Sequence, residues 1–119
     1  MRSSCRRSWC NGVADRRVVA LATVAAMGVA GAALAAPRTH TIVIDAMQFS
    51  PATLTVQRGD RVVWVNKDLL PHSATAASKA FDSRRIAPQA SWGSVMDKPG
   101  RLDYLCTFHP TMKGTLVVH

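Results

Sequence analysis

Within seven residues, Cys106-Thr107-Phe108-His109-Pro110-Thr111-Met112 places a thiolate, an imidazole and a thioether at C-x-x-H-x-x-M spacing. This stretch constrains the fold more than any other, because its donors converge only if the chain turns back between Cys106 and Met112. All three are soft or borderline ligands, a set that suits copper. Zinc accepts Cys and His, but its structural sites are completed by further Cys or His and not by Met. A mononuclear copper site of two His, one Cys and a weak axial Met needs one more imidazole. His72 supplies it, following Pro71 in the loop after the strand-like run Arg61-Val62-Val63-Trp64-Val65-Asn66. A lone Cys near a lone His would by itself read as a buried structural thiol. Met112 and His72 shift that reading to a metal centre of His72, Cys106, His109 and Met112.

The first 35 residues read as an export signal. Residues 1–17 carry five Arg and one acid, Asp15, and an uncharged Ala- and Val-rich run then leads to Ala33-Leu34-Ala35-Ala36-Pro37. A basic start, an apolar middle and an A-x-A end are the marks of a secretory leader, with cleavage expected after Ala35. Arg16-Arg17 also permits the twin-arginine route in place of the general one. An uncleaved membrane anchor is the alternative, since the apolar run is nineteen residues long. Its Ala and Gly content makes it weakly hydrophobic, and the domain from 36 to 119 is expected to be free of the membrane.

Cys5 and Cys10 fall in the leader, so Cys106 is the only thiol of residues 36–119. In an oxidising compartment a single thiol is exposed to oxidation or to pairing between molecules, and metal ligation removes that hazard. Residues 36–119 hold ten Lys or Arg and six Asp, a net charge of +4. That balance favours acidic partners. No basic stripe interleaved with aromatics points to nucleic acid.

Hydrophobic alternation predicts seven or so strands and no helix. They are expected at Thr39–Ala46, Thr53–Gln57, Val62–Val65, Ala74–Ala76, Ser91–Val95, Arg101–Cys106 and Gly114–Val118. Gln48–Pro51 and Arg58-Gly59-Asp60 read as turns, and Phe81–Gln89 as an irregular connection. Val62–Val65 is apolar throughout, which predicts a central strand covered on both faces. The expectation is a single all-β domain, a sandwich, with the ligand turn and His72 at one pole.

Three runs then resemble a known family: Met47-x-Phe49-x-Pro51; Gly59-Asp60-x-Val62-x-Trp64-x-Asn66-x-Asp68-x-x-Pro71-His72; and Cys106-x-x-His109-Pro110-x-Met112-Lys113-Gly114. Together they resemble the cupredoxins, and most of all the amicyanin branch of the plastocyanin-like proteins. The short His-x-x-Met interval is the branch-specific part. The resemblance covers residues 38–119. It implies a Greek-key β-sandwich and one type 1 (blue) copper ion, with His72, Cys106 and His109 equatorial and Met112 axial. It also implies that Asn66 hydrogen-bonds near the ligand loops and gives its backbone N–H to the Cys106 sulfur. Phe108 departs from the usual Pro, adding a backbone N–H and removing a rigid residue.

The function so implied is that of a monomeric periplasmic electron carrier between redox proteins, such as a periplasmic dehydrogenase and a c-type cytochrome. The motif offers no open coordination position and no general acid or base, so catalysis is not expected. Leu69, Leu70, Pro71, Phe108 and Pro110 form a candidate apolar docking patch around His109, with loop packing as the alternative. Asp68 either orients the His72 loop or caps its turn. His40 and His119 lie outside the motif and are expected at the surface. The competing reading is a periplasmic protein that stores or delivers copper; it would use similar donors, but commonly with surplus Met or His that this chain lacks.

Overall fold

The computed structural model describes Gly28 and residues 31–119. The expected export segment, residues 1–35, lies almost wholly outside the described residues. Ala33–His119 forms one unit of the chain. Among the described residues there is no helix, and none therefore long and apolar enough to cross a membrane. The strands are β1 (Thr39–Asp45), β2 (Gln48–Ser50), β3 (Thr53–Val56), β4 (Arg61–Asn66), β5 (Thr75–Ala76), β6 (Ser91–Val95), β7 (Gly100–Leu105) and β8 (Lys113–Val118).

They form two four-stranded sheets, in the orders β2-β1-β4-β6 and β3-β8-β7-β5. The chain changes sheets repeatedly, which leaves two parallel pairs, β1 with β4 and β3 with β8, among otherwise antiparallel neighbours. The result is an all-β Greek-key sandwich. Side chains alternate across each strand, so Ile42 and Ile44 of β1, Val62 and Trp64 of β4, and Leu116 of β8 meet between the sheets, all fully buried. Each such side chain contributes about 1.5–3 kcal/mol by leaving water. Trp64 is the hub, with ring centroids 5.1 Å from Phe81, 5.5 Å from Trp92 and 5.6 Å from Tyr104.

Two expectations about the strands are corrected. The turn after β1 falls at Ala46-Met47, and Gln48–Ser50 pairs with β1 as a strand, Phe49 opposite Ile44. Both turn residues have positive φ, 49° and 62°. Their sequence lacks the Gly or Asn that normally signals such a hairpin. β4 is central within its sheet, yet only its Val62, Trp64 and Asn66 face is buried. Val63 and Val65 are half-exposed on the outer face, because no layer packs there within the domain. Arg58-Gly59-Asp60 does turn, with Gly59 at φ 93°.

At the start of β4, buried Asp60 gathers three donors. Its carboxylate accepts from the Arg38 N–H at 2.9 Å, the Gln57 N–H at 3.0 Å and His40 Nε2 at 2.8 Å. His40 is thus half-buried and paired, contrary to the surface position expected for it, whereas His119 is exposed. The Arg38 and Gln57 N–H groups and then His40 hold the Asp60 pKa down from 3.8 to about 2, against the opposing effect of burial. A lowered folded-state pKa means that the unfolded chain takes the proton first, so this contribution is complete above the unfolded value and is lost as the pH falls from there through the folded value. Thermal melts should show wild-type stability falling as the pH drops from 3.8 to about 2, with a shallower fall in Asp60→Asn.

On the other sheet, the Tyr104 ring lies directly over Gly114, its cross-strand partner, so any side chain at 114 would collide with it. Burial pushes the Tyr104 pKa up to about 12, keeping the phenol neutral in the core. Gly114→Ala should cost about 1–3 kcal/mol by over-packing, measurable by urea denaturation.

Candidate metal centre

Cys106 follows the last residue of β7, and Met112 precedes the first of β8. The intervening turn is closed by main-chain bonds from the Cys106 N–H to Met112 O at 3.1 Å and from the Met112 N–H to His109 O at 2.9 Å. β7 and β8 pair through Leu105 and Lys113, so the turn is anchored at both feet. His72 enters from the β4–β5 loop, fixed by its reciprocal main-chain bonds with Ile86.

Cys106 Sγ lies 3.7 Å from His72 Nδ1 and 3.8 Å from His109 Nδ1. All three donor atoms fall within 4.8 Å of one another. Ligands bonded at roughly 2.0–2.3 Å to one ion in a trigonal arrangement stand about 3.5–4 Å apart, so the spacing fits one metal. Cys106, His72 and Met112 are buried, and His109 is half-buried. Met112 sits at the end of the same turn, and a thiolate with two imidazoles is a donor set that copper accepts.

His72 and Cys106 are each held by their surroundings. His72 Nε2 lies 2.8 Å from Asp68 Oδ2. An ionised carboxylate only accepts, so Nε2 carries the proton and Nδ1 presents its lone pair toward Cys106. Asp68 also accepts from the Ala46 N–H at 2.8 Å and the Met47 N–H at 3.1 Å. Burial opposes its ionisation, but the Met47 N–H, His72 and the Ala46 N–H together hold its pKa below the ordinary value. Of the two readings open for Asp68, orienting His72 is therefore the one that the geometry favours.

The expectation for Asn66 is half corrected. Its side chain does tie the loops together, donating to Leu70 O at 2.8 Å and Ile86 O at 3.1 Å while accepting the Asp68 N–H at 3.0 Å. Its backbone N–H, however, donates to Ala90 O at 2.9 Å. The donor to Cys106 Sγ is the Ser73 N–H, at 3.3 Å. Asn66 ends β4 with its N–H directed at the β6 side, whereas Ser73, next to His72, faces the sulfur. Sequence reasoning missed Ser73; the signal was a hydroxyl residue directly after His72, matched by Thr107 directly after Cys106.

His109 is half-buried, and Leu69, Leu70 and Phe108 are exposed by 88%, 51% and 49%. Pro110 is exposed and Pro71 half-buried.

Removing the carboxylate in Asp68→Ala frees the His72 ring and leaves two turn N–H groups without their acceptor. Metal affinity, measured by competition with a chelator, should fall by about 10–100-fold.

Residues 17–118 match the model of the cupredoxin-like domain. The chain is 32% identical over 80 residues to amicyanin-alpha of Methylorubrum extorquens, covering 63% of this chain and 67% of that protein. It is 28% identical over 80 residues to amicyanin of Paracoccus versutus, and the match spans 63% of this chain and only 61% of that relative's length. Plastocyanin of Scenedesmus fuscus is 30% identical over 86 residues, with 61% of this chain and 88% of that protein covered. Among solved structures, the Cu(I) form of a methionine-to-alanine variant of amicyanin superposes with a TM-score of 0.65 at 27% identity, over 71% of this chain and 86% of the other. A donor cluster at one pole of a two-sheet sandwich and a family match over most of the sequence lead to one conclusion: the chain belongs to the cupredoxin-like family.

Proposed function

We propose that this chain is a one-electron carrier that holds a single type 1 copper ion through His72, Cys106 and His109, with Met112 as the axial ligand. The observation that carries the reading is the three-donor cluster, with Cys106 Sγ 3.7 and 3.8 Å from the two imidazole nitrogens. Copper would supply the Cu(I)/Cu(II) couple, for which thiolate and thioether favour the lower state and imidazole serves both. The protein's part is to keep the donors from rearranging. Asp68 fixes His72, the Ser73 N–H rests on the thiolate, and main-chain bonds close the ligand turn. An electron would enter and leave beside His109, the ligand nearest the surface.

The exposed Leu69, Leu70 and Phe108, with Pro71 and Pro110, give that edge an apolar character suited to brief docking of a redox protein. The partners inferred are a periplasmic dehydrogenase and a c-type cytochrome, approached by a monomer that performs no catalysis of its own. The Cu(I) forms among the amicyanin structures, and the amicyanins and plastocyanin among the matches, support this reading. The basic, apolar and A-x-A pattern of residues 1–35 supports export to the periplasm, by the general or the twin-arginine route, with 36–119 as the mature domain.

Adding one equivalent of Cu(II) should give an intense visible band, absent from Cys106→Ala and bleached reversibly by a reductant. A colourless complex would mean that Cys106 does not bind Cu(II), and storage or delivery of copper would replace electron transfer.

A further inference from the structure

Ser73 follows one inferred ligand, Thr107 follows another, and their hydroxyls meet. Ser73 Oγ accepts the Thr107 N–H at 2.8 Å and lies 2.9 Å from Thr107 Oγ1 and 3.3 Å from Thr75 Oγ1. Thr75 Oγ1 donates to Asp82 Oδ1 at 3.0 Å, and the same oxygen accepts the Arg84 N–H at 2.8 Å. Each hydroxyl has one proton. Because that of Thr75 is committed to the carboxylate, Ser73 is the donor to Thr75, and Thr107 is then the donor to Ser73. Three hydroxyls thus point the same way, from the loop beside Cys106 to an exposed carboxylate on the 81–89 connection.

Asp82 is itself well placed to end such a chain. It is bridged to Thr75 in the main-chain pairing, and Ala74 is tied to the neighbouring Ser83 through both its N–H and its carbonyl. The Arg84 N–H and then Thr75 lower the Asp82 pKa. Ser73, at the middle of the chain, is fully buried, so its hydroxyl has no water to replace these partners, and in that low-dielectric position its hydrogen bonds are strengthened.

We propose that Asp82, acting through Thr75 and Ser73, is a positioning residue that fixes the Cys106–Thr107 segment and so tunes the reduction potential of the copper site. The proposal rests on the electron-carrier reading. With the hydroxyl chain intact, Ser73 Oγ holds the Thr107 N–H while the Ser73 N–H stays on the thiolate. A donor on the sulfur stabilises charge there and favours Cu(I), so loosening Ser73 lowers the potential. Loss of the Asp82 charge alone would act the opposite way, raising the potential, and screening at the exposed position keeps that effect small.

Thr75→Val separates the two effects, since it breaks the chain and changes no charge. In the metal-free full chain, exchange of the Thr107 amide should be about five- to tenfold faster in Thr75→Val and Asp82→Ala, the loss expected for one hydrogen bond. Thr75→Ser should restore the wild-type rate, and exchange within β4 should not change. In the copper-loaded protein, the Thr75→Val potential should fall. Unchanged Thr107 exchange in folded Thr75→Val would overturn the proposal, as would faster exchange with an unmoved or raised potential. A wild type that gives no thiolate–copper band would overturn the carrier reading alone, and the metal-free exchange rates would still decide whether the hydroxyl chain holds the loop.

Discussion

The site depends on a single carboxylate accepting from two parts of the chain at once. Asp68 takes the Ala46 and Met47 N–H groups of the β1–β2 turn and the Nε2–H of His72. Left-handed backbone at a residue with a side chain costs about 1–2 kcal/mol, and this turn holds two such residues. The charge-assisted bonds to Asp68 offset that cost. The same atoms set the His72 tautomer, so the hairpin and the ligand are stabilised together.

Once His72 is fixed, the remaining geometry follows from the sandwich. β7 and β8 deliver Cys106 and Met112 to one pole because they are paired up to Leu105 and Lys113. The turn between them is short enough to be held by its own main chain. Burial of Cys106 and His72 removes water from the donors, leaving His109 as the half-buried side. Fixed donors with little water around them are what a metal centre needs in order to change oxidation state without rearranging.

The cluster of His72, Cys106 and His109 was legible because its chemistry is local: Cys106 and His109 stand three residues apart in one turn, and His72 stands alone after a strand. Strand positions were legible for the same reason, since Ile42 and Ile44, or Tyr104 and Cys106, alternate strictly. The β1–β2 turn was not, because Ala46 and Met47 carry no turn chemistry of their own. Their stabilising partner is twenty-one or twenty-two residues away. The Asn66 assignment failed in one part for a related reason. Which backbone N–H reaches a sulfur depends on how two loops approach, and no residue type declares that.

The sequence by itself determined the two His and one Cys that cluster, the strand periodicity, and the isolation of Cys106 as the single thiol of residues 36–119. These are matters of side-chain chemistry and spacing along the chain. Only the tertiary structure decided which nitrogen of His72 faces the sulfur, which amide rests on that sulfur, and that Asp82 lies at the end of a hydroxyl chain leading to it. Those are contacts between segments separated by as many as thirty-four residues, fixed by sheet packing after the local pattern has been spent.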